Sequence, residues 1–194
     1  ALIKKHGFKL GLQMMIGLPG DTLEKSISTA KKIINAKADN TRIYPAIVIK
    51  DTQMHAWYKQ GKYKPLSLKD AVNWTKHLMP VFENAGVNVI RVGLHPSEGL
   101  VTGEELVDGP FHSSFKELVI TEIWKDLLSP ILENYDSKSI EIQVPTKELN
   151  YAIGHKSMNK NMLLSKIKSV KFIGSKDLQP RTFKIHLLEN LRQQ

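Results

Sequence analysis

The first half of the chain alternates dense apolar runs with amphipathic stretches. Phe8 to Gly17 is the first such run, and its pattern predicts a strand buried on both faces. Leu2-Ile3-Lys4-Lys5-His6-Gly7 before it reads as a last helical turn, with basic residues at the carbonyl end and Gly at the stop. Gly17-Leu18-Pro19-Gly20-Asp21-Thr22 predicts a strand-to-helix turn, in which Asp21 caps the helix and Glu24 completes a capping box. Leu23, Ile27, Ala30, Ile33 and Ile34 then form one helical stripe. Asn40 to Ile49 predicts a second strand, bulged or interrupted at Pro45, which has no N–H to give to a ladder. A loop and short helix span Met54 to Tyr63. Ser67 caps a longer helix from Leu68 to Ala85, stopped by Gly86 and bent or broken at Pro80. Val87 to Leu94 predicts a third buried strand.

Strand starts spaced about 30 to 50 residues apart with helices between them imply parallel βαβ pairing. Three such units do not close a barrel, so residues 1–94 read as one side of a larger α/β barrel whose earlier strands precede Ala1. The leading strand, Phe8–Gly17, then has an open edge, through which association is expected.

The pattern changes after Leu94. Residues 95–137 read as a crossing loop rich in Gly, Pro, Ser and acidic residues, followed by a linker helix from Phe115 to Leu132. Residues 138–194 read as a small α+β domain. Ile140 to Val144 alternates as a half-buried strand, a short helix runs from Thr146 to Gly154, and a second helix holds Met158, Met162, Leu163 and Ile167. Val170–Ile173 and Thr182–Leu187 predict two further strands.

Charge and composition narrow the chemistry. The net charge is +9, and residues 138–194 carry 11 Lys and Arg against four Asp and Glu. That asymmetry is what a polyanion-binding segment shows, or a solvated basic surface. The chain has no cysteine, which excludes disulfides, thiolate zinc sites and Cys-ligated clusters within it. Its seven histidines never fall at i, i+3 or i, i+4, so no metal site is expected on this chain alone. The acidic residues Glu98, Glu104, Glu105 and Asp108 read as a solvated loop, or as a weak divalent-ion site. No apolar run is long enough to span a bilayer and no secretory leader opens the chain, so a cytoplasmic location is expected.

Three stretches, in order, resemble the radical S-adenosylmethionine (SAM) superfamily, in the branch of the elongator catalytic subunit and of proteins labelled oxygen-independent coproporphyrinogen III oxidase. They are Gly11-Leu-Gln-Met-Met-Ile-Gly-Leu-Pro-Gly-Asp-Thr22, then Arg42-Ile-Tyr-Pro-Ala-Ile-Val-Ile-Lys-Asp-Thr52 with Trp57–Tyr63, and Val89-Ile-Arg-Val-Gly-Leu94. The resemblance implies the C-terminal portion of a partial (β/α) barrel. In the family a [4Fe–4S] cluster sits on a three-cysteine loop near the first strand. SAM chelates its unique iron, and reductive cleavage yields a 5′-deoxyadenosyl radical. That loop would lie upstream of Ala1, so this chain alone is expected to bind neither group and to be inactive. Met15 and Gly17 match part of the family's adenine-side motif, whose Gly and Glu are replaced by Gln13 and Gly20. Tyr44, Pro45 and Ala46 match its sixth-strand position. The same residues also serve as a turn, a core filler and a core aromatic. Arg91 either pairs with a carboxylate or faces the barrel mouth. No catalytic residue is assigned.

Ala152-Ile153-Gly154-His155-Lys156-Ser157-Met158 resembles the helix–Gly-x-x-Gly–helix centre of a KH domain, with Ser157 at the second glycine. That resemblance implies RNA binding at Gly154, His155, Lys156 and Ser157, with Lys156, Lys160, Lys166 and Lys168 neutralising phosphates. The whole reads as the C-terminal part of a radical SAM enzyme acting on RNA, tRNA in particular. The alternative is a nucleic-acid-binding module for which the barrel strands are scaffold.

Overall fold

The computed structural model describes residues 2–188. The chain divides between Lys116 and Glu117 into two compact units. The first contains α1 (Leu2–Lys5), β1 (Gly11–Ile16), α2 (Leu23–Asn35), β2 (Asn40–Pro45), β3 (Val48–Ile49), α3 (Gln53–Lys59), α4 (Leu68–Asn84), β4 (Asn88–Val92), α5 (Glu98–Thr102) and β5 (Leu106–Asp108). The boundary falls inside α6 (Phe115–Leu128). The second unit continues with α7 (Ile131–Asn134), β6 (Ser139–Pro145), α8 (Leu149–Ile153), α9 (Met158–Leu164), β7 (Ser169–Ser175) and β8 (Lys184–Leu187), with 3-10 turns at Thr146–Glu148 and His155–Ser157.

In the first unit the three predicted strands form one parallel sheet in the order β1-β2-β4. The β1 strand pairs with β2 alone, so among the described residues its other edge is open, as the arc predicts. Helices α2 and α4 cover one face. Met14 and Ile16 of β1, Ile43 of β2 and Val92 of β4 are buried there with Ala30, Ile33, Leu78, Met79 and Phe82. Removing Leu78 or Phe82 fully from water contributes about 1.5–3 kcal/mol each.

Among the described residues the other face is not covered. Gln13 and Met15 of β1, Arg42 of β2 and Arg91 of β4 are exposed, and Tyr44 is half-buried. The expectation that β1 is buried on both faces is therefore wrong. Leu12, Met14 and Ile16 point inward, and Gly11, Gln13 and Met15 alternate outward with period 2. Apolar density misled because Met15 is apolar on the open side.

Pro45 is no bulge. It pairs with Ile16 on the β1 side, and the ladder to β4 has already ended at Ile43 and Val92, so the missing N–H has no partner to lose. The irregularity lies instead between Thr41 and Arg42 against β4. Helix α4 continues through Pro80. Its buried stripe, Leu78, Met79 and Phe82, brackets the proline and holds the helix to the sheet on both sides of it. The cap of α2 is Thr22, not Asp21: the Thr22 hydroxyl accepts from the Lys25 N–H at 3.3 Å. Two short strands inside the expected loops, β3 and β5, pair antiparallel.

In the second unit α6 stops at Leu128, earlier than periodicity predicts, because Pro130 cannot donate to the preceding turn and opens α7 instead. The sheet order is β7-β6-β8, with β6 parallel to β7 and antiparallel to β8. Ile140, Ile142 and Val144 of β6 are buried with Ala152, Leu163, Ile167 and Val170, so α8 and α9 cover one face of this sheet.

Candidate functional site

Parallel strands gather their carboxyl ends at one rim, where following loops meet. In the first unit that rim is the turn after β1 and the segment after β2. Gly17 lies in it with φ of +75°, a conformation that favours glycine. Its N–H donates to the Asp21 carboxylate at 2.9 Å, and its carbonyl accepts from the buried Tyr63 hydroxyl at 2.7 Å. Asp21 also accepts from the Thr22 N–H at 2.8 Å and the Ser26 hydroxyl at 2.9 Å. Asp21 is thus the tie that shapes the turn, a role the sequence assigns to helix capping.

The five residues expected at this rim divide into two sets. Met15 and Tyr44 are partners in register and share the open face. Gly17, Pro45 and Ala46 are buried. Both backbone polar groups of Gly17 are engaged, and the Ala46 N–H donates to the Ile16 carbonyl at 2.8 Å. Met15 and Tyr44 are accordingly the two side chains of this set available to a ligand. Beside the rim, hydrogen bonding to the Asp108 carboxylate, and then its charge, raise the Tyr58 phenol above its ordinary value. Burial, and then the Asp108 charge, raise Tyr63.

The open face also presents Arg42, to which the sequence pattern gave no role, in line with Gln13 and Arg91. Gln13 stands opposite Arg42, and Arg42 opposite Arg91, in one row across all three strands. The signal for Arg42 was available: in Arg42-Ile43-Tyr44 the apolar centre alternates with outward positions. Of the two alternatives for Arg91, the structure places it exposed, in no ion pair among the described residues.

In the second unit Gly154, with φ of +89°, ends α8. A Cβ there would meet the Asn159 amide nitrogen at 2.9 Å. Lys156 and Ser157 follow with φ of 51° and 60°, two successive left-handed residues that are not glycine. The turn is fastened from beneath by Thr121. Its hydroxyl accepts from the His155 N–H at 2.8 Å, and its carbonyl accepts from the Asn159 side chain at 3.0 Å. Gly154, His155, Lys156, Ser157 and Lys160 are thus brought together. Lys166 and Lys168 are not: they lie beyond the far end of α9, about 10 Å along its axis. Their backbones instead bond to Ser137 and Lys138, which adds Lys138 to that end. Among the described residues no three His, Asp or Glu side chains come together as a metal site, and Glu98, Glu104, Glu105 and Asp108 form no such group.

Comparisons with known proteins agree with the first unit. Residues 38–125 match the family model described as the Radical_SAM C-terminal domain. The tRNA uridine(34) acetyltransferase of Methanocaldococcus jannaschii is 30% identical over 124 residues, which are 61% of this chain and 21% of that protein. Human Elongator complex protein 3 is 30% identical over 129 residues, 65% of this chain and 22% of that protein. The solved structure of archaeal Methanocaldococcus infernus Elp3 with an N-terminal deletion (1–46) superposes with a TM-score of 0.56 at 26% identity, over 64% of this chain and 29% of that one. The chain thus spans about a fifth of the length of these curated relatives. The family match runs past Leu94, through β5 and most of α6. Residues 38–125 thus resemble the radical SAM C-terminal domain, and the relatives that match the chain include a tRNA uridine(34) acetyltransferase, Elongator complex protein 3 and archaeal Elp3.

Proposed function

We propose that this chain is the C-terminal part of a longer cytoplasmic radical SAM enzyme that modifies RNA. Residues 1–94 supply the last βα units of its partial barrel, and the open face of the β1-β2-β4 sheet is one wall of its SAM and substrate cavity. The observation that carries this reading is the uncovered face itself: a parallel sheet is ordinarily covered on both sides, and here Met15, Tyr44, Gln13, Arg42 and Arg91 are left facing out beside an unpaired strand edge. The remaining strands of the barrel would pair with that edge and close over that face.

The residues present fit the two cofactors unequally. A cluster needs thiolates, and the chain has none. For SAM, Met15 and Tyr44 would form an apolar and aromatic wall, while buried Gly17, Pro45 and Ala46 hold that wall in place through the turn and the β1–β2 ladder. When bound beside a reduced cluster, SAM supplies the hydrogen-abstracting group. The contribution of this chain is to shape the cavity and exclude water from one side.

The test joins the chain to the part of the Methanocaldococcus jannaschii relative that precedes the matching region, co-expressed and handled anaerobically. The amides on the free edge of β1 should gain protection from hydrogen exchange, and SAM should bind the pair with an affinity that Met15→Asp and Tyr44→Ala each lower about tenfold. If the pieces assemble and both variants bind SAM as tightly as the parent, the wall is elsewhere.

A second reading concerns the turn at 154–157, and the left-handed pair Lys156 and Ser157 favours it. The backbone there already adopts the conformation that a second glycine would make easy, so Ser157 preserves a KH-like turn at some cost in strain. On this reading residues 138–194, linked through 95–137, bind RNA at Gly154, His155, Lys156, Ser157 and Lys160, with Lys166 and Lys168 on a more distant stretch of the same strand. Affinity for single-stranded RNA should fall steeply with salt. A flat response removes the reading.

A further inference from the structure

The bulge in the β2–β4 ladder decides which side chains share the open face. Up to Thr41 the register runs Asn40 to Asn88 and Thr41 to Val89. Continued without interruption, it would set Ile90 opposite Arg42 and turn Arg91 toward the covered face. The shift between Thr41 and Arg42 skips Ile90, so Arg91 stands opposite Arg42 and Val92 returns to the core. Such a shift in register costs ladder hydrogen bonds; it is found at sheet edges and next to functional sites, where it re-aims a side chain. Here it re-aims a second arginine beside the first.

The arrangement is unfavourable without a ligand. Neighbouring strands lie about 4.8 Å apart, so the two guanidinium groups rise side by side from one face. Like charges directly opposite destabilise a sheet. Neither arginine takes part in a side-chain hydrogen bond or ion pair among the described residues, and Gln13, next in the row, takes part in none either. Two planar forks and a carboxamide thus rise from adjacent positions of one row with no carboxylate paired to either fork. A guanidinium fork matches two oxygens of a phosphate.

We propose that Arg42 and Arg91, with Gln13 beside them, clamp one phosphate group of a polynucleotide. This rests on the RNA reading above and deepens it by naming the group that seats the substrate on the barrel wall. The row lies two residues, about 6.6 Å, back from Met15 and Tyr44 along the strands. Arg91 belongs to β4, which is an edge of the sheet as the chain stands, so a long polymer reaches the clamp from the flank. The chain's net +9, seven of it in residues 138–194, favours approach of a polyanion to the molecule as a whole rather than to this face in particular.

The test is a titration of a short labelled RNA hairpin with a uridine-containing loop by the whole chain, read by fluorescence anisotropy over a salt series. R42Q/R91Q should weaken binding about tenfold or more and flatten the salt slope by roughly one counterion. R42K/R91K should keep the slope and lose part of the affinity, because the charge remains and the fork does not. Equal affinity of R42Q/R91Q and the parent overturns the clamp and leaves RNA binding in place. No RNA binding by the parent overturns both. A second measurement needs no variant. Side-chain Nε–H resonances of Arg42 and Arg91 in the parent chain should shift on adding the hairpin and, more weakly, on adding inorganic phosphate. Resonances that stay fixed under RNA overturn the proposal, as does a shift produced by S-adenosylhomocysteine and not by RNA, which would assign the pair to that ligand's carboxylate. An ion pair with carboxylates of other barrel strands would likewise leave both RNA readouts unmoved.

Discussion

Replacing Gly17 by Ala separates two costs that a tight turn combines. At φ of +75° any side chain is strained, which costs about 1–2 kcal/mol. The added Cβ would also lie 2.8 Å from both Cγ and Cδ1 of Leu66, and overpacking of that kind costs about 1–3 kcal/mol. The sum is about 2–5 kcal/mol. Gly20, three residues on, has nearly the same φ, +73°, and nothing within 4 Å of its Cβ position. Gly20→Ala should therefore carry the backbone cost alone. The assay must report on this unit by itself, because unfolding of a chain with two units is not a two-state process. Hydrogen exchange of the Ala46 amide, which bonds to the Ile16 carbonyl, does so. Gly17→Ala should speed that exchange about thirtyfold or more, and Gly20→Ala by about tenfold. In a Leu66→Ala background the effect of Gly17→Ala should shrink to that of Gly20→Ala, the coupling expected of residues in contact. Equal effects of the two glycine changes in the parent chain, or no rescue by Leu66→Ala, would refute the packing argument.

Tyr63→Phe removes the donor to the Gly17 carbonyl, leaves a buried acceptor unpaired, and should destabilise the first unit by about 1–3 kcal/mol, read on the same Ala46 amide. Thr121→Val takes away the acceptor of the His155 N–H; it should cost about 1–2 kcal/mol and speed exchange at His155 while Ala46 is unchanged. Asp39 accepts from the Leu10 N–H at 2.7 Å and the Lys4 ammonium at 3.0 Å. The Leu10 bond first, then Lys4, hold its carboxyl below the ordinary carboxylate value. A depressed acid stabilises the fold above its unfolded pKa, and that contribution is lost as pH falls through the lower folded value. Asp39→Asn should thus weaken the N-terminal end of β1 at neutral pH and match the parent in strong acid, measured by exchange at Leu10 across a pH series. An Asn variant that stays weaker to the same degree at every pH would contradict this sign.

The parts of the fold that were legible in the sequence are those set by period and spacing. The three βα units follow from a helical stripe at Leu23, Ala30 and Ile33 and from strands too far apart for hairpins. What stayed hidden depends on partners rather than on the residue itself. Met15 reads as core because it is apolar, yet it faces out, and no property of methionine distinguishes a core from an uncovered wall. Strands β3 and β5 have two and three residues, too few for any period to show. Asp21 and Thr22 both have capping side chains, and the choice between them is made by Gly17 and Ser26, whose groups Asp21 accepts. The candidate site shows the same division. Residue types marked Tyr44 and the 154–157 turn, whereas the pairing of Arg42 with Arg91 is a property of register. One skipped residue, Ile90, decides whether the second arginine meets the core or the open face, and no count along β4 reveals a skip that exists only relative to β2. The facing of a stretch such as Val89-Ile90-Arg91-Val92 is therefore set by the ladder, and it becomes readable only when both strands are in place.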